Sequence, residues 1–185
     1  VVYLWLDLET TGLDPNKGEI LEAAGYVTPD LEFDPYFGWD AAIQLSALHK
    51  PLPTTELMDL ANGHVFRMHQ NSGLWRDLDS VSSLGTGDLR KVVLNYLARE
   101  AERCGRKLIL CGNSVHFDRS WLLHHIPEAG QYLSHRHVDV SSLLILHKAA
   151  KRTEIRVDND NPHRAWEGVK ASYATFHALR ESWGV

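Results

Sequence analysis

The sequence predicts an α/β fold in which a mixed central sheet is flanked by helices. Extended apolar segments come first and follow one another in meander order. After them, helical and extended segments alternate, and one helical stretch carries a clear apolar stripe. The 185 residues show no composition break and no internal repeat, so a single domain over 1–185 is expected.

The first strand spans about 2–8, the apolar run Val2-Tyr3-Leu4-Trp5-Leu6 ending in Asp7 and Leu8. Gly12 and Asp14-Pro15 form a turn into a second strand near 19–28, where Ile20, Leu21, Ala23, Ala24, Tyr26 and Val27 are apolar. Pro29-Asp30 reads as a hairpin-like turn into a third strand, followed by an extended segment near Trp39–Leu45. Helices are expected near 53–62 and 64–70. Thr86-Gly87-Asp88 marks the start of a longer one over 88–104, because Leu89, Val92, Val93, Tyr96 and Leu97 share one helical face. A strand at 107–111 follows, then a helix near 118–125 stopped by Pro127, a strand at 137–140 and a helix at 141–151. The polar run Lys151–Pro162 reads as a mobile loop ahead of a final helix, 163–183.

Composition narrows the function. A net charge of −5 supplies no global positive field to draw in long nucleic acid, which argues against a sequence-reading DNA binder but allows short oligonucleotides held by local contacts. Cys104 and Cys111 lack metal-ligand spacing and read as free thiols of a reducing compartment. The opening apolar run is far short of the ~20 residues that span a bilayer, and nothing resembles a signal peptide, so a cytoplasmic protein with no membrane contact is expected. His124, His125, His135 and His137 read as structural or solvent-facing, not as a transition-metal site. The six tryptophans read mainly as core and interface, with Trp166 beside the final helix as the exception.

Residues i and i+2 of a strand share a face, so Asp7 and Glu9 can converge on one cation where the first strand surfaces. Asp118 follows a second apolar strand through Gly112-Asn113-Ser114, and His163 opens the last helical segment. Three carboxylates and a histidine are the donor set for hard divalent metals with a general base.

Asp7-Leu8-Glu9-Thr10-Thr11-Gly12-Leu13, Cys111 through Arg119, and Asn161-Pro162-His163-Arg164-Ala165 resemble, in order, the three motifs of the DEDDh 3′-to-5′ exonucleases, and most nearly their oligoribonuclease branch. Segments 67–74 and 136–143 are similar to that branch too, so the likeness covers nearly the whole chain. It implies an RNase H-like exonuclease fold. The family places a fourth acid five residues after the motif histidine, where this chain has Gly168. The adjacent Glu167 is the nearest acid, one helical step of about 100° and ~1.5 Å away.

For such chemistry, two divalent cations ~3.5–4 Å apart activate water and compensate charge on the phosphate. Asp7 is expected to bridge them, Glu9 and Asp118 to complete the shell, Glu167 to stand as a further ligand, and Mg2+ or Mn2+ to be the ions because every donor is oxygen. His163 would take the proton from water. The resemblance also implies that Leu13 wedges near the terminal bases. In the same way, Ser114, His69 and Arg136 would cap a dinucleotide's 5′ phosphate, with Arg136 reaching across a homodimer interface. His64 and His135 stand where the branch often has tryptophan and tyrosine. The expected activity is removal of mononucleotides from very short RNA or DNA oligonucleotides. The alternatives are a catalytically impaired nucleotide-binding homologue of the same fold and a single-stranded DNA proofreading or repair exonuclease.

Overall fold

A computed structural model describes residues 2–31, 44–80, 89–151, 154–157 and 162–184. Five strands form one sheet: β1 (Tyr3–Thr10), β2 (Ile20–Thr28), β3 (Leu45–Leu48), β4 (Leu108–Gly112) and β5 (Leu133–Asp139), in the order β3-β2-β1-β4-β5. β1 pairs antiparallel with β2 and β2 with β3, whereas β1–β4 and β4–β5 are parallel. This is the mixed sheet flanked by helices that the order of segments predicts, and it accords with an RNase H-like exonuclease fold. The helices are α1 (Thr54–Leu60), α2 (Gly63–Ser72), α3 (Leu74–Ser80), α4 (Leu89–Cys104), α5 (Val115–His125), α6 (Val140–Lys151) and α7 (Ala165–Trp183), with a 3-10 helix at Pro127–Gln131.

Alternation along β1 decides what lies on each face of the sheet. Leu4, Leu6 and Leu8 join Val93 and Leu97 of α4 and Trp121 and Leu122 of α5 in one core. Trp5 points the other way, its ring edge-on to Tyr173 of α7 at 4.9 Å and tilted against Phe176 at 5.6 Å. By the same period of two, Asp7 and Glu9 fall on the α7 side. A third cluster, Leu21, Leu57, Leu74, Trp75 and Leu78, packs α1 and α3 against β2.

Several boundaries differ from expectation. The third strand after Pro29-Asp30, most of the extended segment 39–45 and the helix start at 86–88 lie outside the described residues, as does half of 151–162; β3 begins where that extended segment was to end. α3 was not expected. It begins directly after Gly73, whose φ of 77° closes α2 in the left-handed conformation, and buries Leu74, Trp75 and Leu78. α5 starts three residues earlier than predicted, after Ser114 in the left-handed region at φ 49°. A Cβ on Gly112 would meet the Leu6 carbonyl oxygen at 2.9 Å, so glycine lets β4 end tight against β1 before that turn. β5 is longer than predicted because it is an edge strand whose residues Ser134 to His137 need no apolar alternation. The final helix starts at Ala165, leaving His163 in the preceding turn at φ 68°. Among the described residues, no helix is long and apolar enough to cross a membrane.

Candidate acidic site at the end of the first strand

β4 pairs with β1 only as far as Trp5↔Cys111, which leaves the end of β1 without a ladder partner on that side. The backbone N–H of Leu8 is satisfied instead by Asp118, whose Oδ1 accepts it at 2.9 Å. This bond draws Asp118, buried in the first turn of α5, to the strand that carries Asp7 and Glu9. The three acids act on one another. Burial first, and then the charges of Asp118, Glu9 and Glu22, hold the Asp7 carboxyl well above the usual range. Burial followed by Glu22 and Asp118 pushes Glu9 up to about 8, against a smaller opposing effect of Arg164. Burial raises Asp118 to about 7, offset in part by the Leu8 N–H.

The place of Gly168 is now concrete. A Cβ built on it would overlap Cγ and Oδ2 of Asp7 and stand 2.7 Å from Oδ1, so the bare backbone of α7 rests directly on the Asp7 carboxylate. Glu167, expected as a further ligand, turns aside. It pairs with Lys170 at 2.7 Å and is not among the principal charges acting on Asp7, Glu9 or Asp118.

His69 corrects another expectation. A residue that caps a substrate phosphate must be accessible, but His69 is 1% exposed. Its Nε2 pairs with the Thr10 carbonyl oxygen at 2.9 Å, its ring stands edge-on to Trp75, and its Nδ1 lies 3.8 Å from Glu9 Oε2, too long for a hydrogen bond. It braces the end of β1. Burial lowers its pKa, which keeps it neutral near pH 7.

The other expected substrate residues are accessible. Leu13, at the tip of the turn after β1, is 78% exposed and is therefore not core. His64 and His163 share a cleft of about 560 Å3 with Arg67, Met68, Asn71, Ser72 and Pro162. Burial lowers the His163 pKa, and the neighbouring His64 lowers it further. Ser114 is exposed, its hydroxyl 3.2 Å from that of Ser141. His135 and Arg136 are exposed on the edge strand β5.

Four polar residues of the site have no role assigned from the sequence: Glu22 and Asp77 lie outside the motifs, and Arg164 and Asp139 fall only within family-like segments. Glu22 is buried directly opposite Glu9 and is held by Arg164, which also binds Asp77, and Asp139 weighs on Asp118 from the end of β5. An acid inside the otherwise apolar run of β2 was the available signal for Glu22. Among the described residues, no three His, Cys, Asp or Glu side chains stand in a metal-ligating arrangement. The donor chemistry nevertheless fits a hard cation. The crowded groups are carboxylates, and no side-chain cation is among the principal influences on Asp7 or Asp118.

The oligoribonucleases of Hahella chejuensis and Salmonella typhimurium are each 31% identical to this chain, over 182 and 185 residues, covering 96% of it and 92% and 93% of their own lengths. The chain belongs to the oligoribonuclease family. The oligoribonuclease of Escherichia coli O157:H7 is 30% identical with the same 96% coverage. No family model matches. In this oligoribonuclease-family chain, Gly168 is the residue whose backbone rests on Asp7.

Proposed function

We propose that this protein is a divalent-cation-dependent 3′-to-5′ exoribonuclease that degrades very short oligonucleotides, dinucleotides included, to mononucleotides. The observation that carries the reading is the meeting of Asp7, Glu9 and Asp118 at the end of β1, where Asp118 accepts the Leu8 N–H and the crowded carboxyls raise one another's pKa. The relatives are named oligoribonucleases, which supports the nuclease part of this reading.

Asp7, Glu9 and Asp118 would hold Mg2+ or Mn2+, which when bound supplies an activated water and charge compensation on the phosphate. His163, at the cleft and neutral near pH 7, accepts a proton from the attacking water on a ring nitrogen. Leu13 presents an apolar face to the terminal base and His64 an imidazole for stacking. Ser114, His135 and Arg136 supply the hydroxyl, imidazole and guanidinium donors that a 5′ phosphate needs. His69 takes no part in that contact. A homodimer formed along the edge strand β5 would bring Arg136 of one copy to the substrate of the other. A second reading, a nucleotide-binding homologue with little turnover, is favoured by one observation: Gly168 and Glu167 together deliver no fourth carboxylate to Asp7.

The test is conversion of a 5′-phosphorylated RNA dinucleotide to mononucleotides in Mn2+, beside its binding in Ca2+. Turnover that disappears in Asp7→Ala, with circular dichroism unchanged, supports the nuclease. Binding without turnover supports the second reading, and equal turnover in Asp7→Ala overturns the assignment of the site.

A further inference from the structure

The acidic site contains a fourth buried carboxylate that the proposed ligand set does not use. Glu22 is 6% exposed and faces Glu9 across the β1–β2 ladder. Both of its oxygens are already committed. Arg164 Nε donates to Oε2 at 3.1 Å and Nη2 to Oε1 at 3.0 Å, and the Ala165 N–H at the start of α7 donates to Oε2 at 2.9 Å. The remaining arm of the guanidinium, Nη1, donates to Asp77 Oδ2 of α3 at 2.7 Å. One planar side chain therefore ties β2, α3 and the start of α7 together, which the single ammonium of a lysine cannot do with the same geometry.

The consequences for the site are electrostatic and geometric. With both oxygens engaged by Arg164 and the Ala165 N–H, Glu22 is turned away from serving as a ligand beside Asp7, Glu9 and Asp118, although its charge still bears on Glu9 and Asp7. With α7 anchored at Arg164, Gly168 is held one turn further along, its N–H bonded to the Arg164 carbonyl at 2.9 Å and its backbone seated on Asp7. His163, immediately before Arg164, is carried to the cleft by the same anchor.

We propose that Arg164 is a positioning residue that withdraws Glu22 from the cation-binding carboxylates and fixes α7 over the three that remain. The inference rests on the reading that Asp7, Glu9 and Asp118 bind a divalent cation. The assignment predicts that losing Arg164 releases a buried carboxylate beside Glu9, whereas losing both charges together does not.

The experiment is calorimetric titration of metal-free protein with Mn2+, in wild type, Arg164→Met and the double variant Arg164→Met/Glu22→Gln. The single variant should bind Mn2+ roughly tenfold more tightly than the double, the effect of one added unit charge on a dication ~6 Å away even with water-like screening. The double variant, which conserves net charge, should stay within about threefold of wild type. Equal Mn2+ affinity in the single and double variants would make Arg164 merely structural and overturn the proposal. If Arg164→Met does not fold, wild type and the double variant still decide, since a loss of more than about tenfold in the double would identify Glu22 as a ligand in its own right. Absence of Mn2+ binding in wild type is a different result: it removes the cation reading itself, and this inference falls with it.

Discussion

Replacing Gly168 by alanine tests how α7 sits on the acidic site. In an exposed helix this change stabilises a protein by up to about 1 kcal/mol, because glycine gives up more backbone entropy on folding. Here the added Cβ would overlap two atoms of the Asp7 carboxylate and come to 2.7 Å from the third. Either the carboxylate turns or the helix lifts. Turning moves Asp7 within the field of Asp118, Glu9 and Glu22 from the position it is packed in, and lifting separates Trp5 from Tyr173 and Phe176. Overpacking of this kind costs about 1–3 kcal/mol, so after a helix gain of up to about 1 kcal/mol a net loss of up to about 2 kcal/mol is expected. For a chain of this size that corresponds to a fall of up to about 8 °C in the unfolding midpoint. The assay is urea and thermal unfolding followed by circular dichroism in EDTA. Gly168→Asp brings a second buried carboxylate to the same place. It should lose more stability than alanine in EDTA and recover part of it in Mn2+, because a ligand that binds the native state stabilises it. An acid at position 168 is therefore not a simple gain of a ligand, since Asp7 stands where its Cβ would go. An alanine variant more stable than wild type by the full helix gain of about 1 kcal/mol would refute the reasoning and mean that α7 does not rest on Asp7.

Two other outcomes follow from the same geometry. In metal-free protein, Glu9 at about 8 and Asp118 at about 7 keep protons that they release near their ordinary values in the unfolded chain. The folded state therefore binds more protons between about pH 4 and pH 8, and the stability due to these groups falls as pH rises through that window. Urea midpoints in EDTA should drop between about pH 5.5 and 8.5, and drop less in Asp118→Asn; a flat wild-type profile would contradict the burial of these acids. Arg136→Ala, at an exposed edge-strand position, should weaken a 5′-phosphorylated dinucleotide by roughly 10- to 100-fold more than its unphosphorylated form, as loss of a charge-assisted contact implies. Equal losses for the two ligands in a binding titration would remove Arg136 from the phosphate contact.

Asp7 and Glu9 were legible as a pair because the two-residue period of a strand is a local property. Any extended backbone through Leu4 to Thr10 puts them on one face. The stripe of α4 was legible for the same reason: Leu89, Val93, Tyr96 and Leu97 are buried as their spacing requires. Asp118 could be recognised as an acid after a strand, but its attachment to Leu8 N–H follows from where β4 stops pairing with β1. His69 shows the limit of motif matching. Its position in the sequence suits a phosphate contact, and only the packing of α2 against the end of β1 shows it buried on Thr10.

The sequence by itself determined the kind of fold, the family and which acids are candidate donors, because these depend on residue types, local periods and the order of motifs. Tertiary structure decided what each donor is free to do. Glu22 meets Arg164 across 142 residues of chain, and Gly168 meets Asp7 across a comparable interval. Contacts at that separation leave no periodic trace in the sequence, because they are set by how a helix near the end of the chain packs on a strand near its beginning.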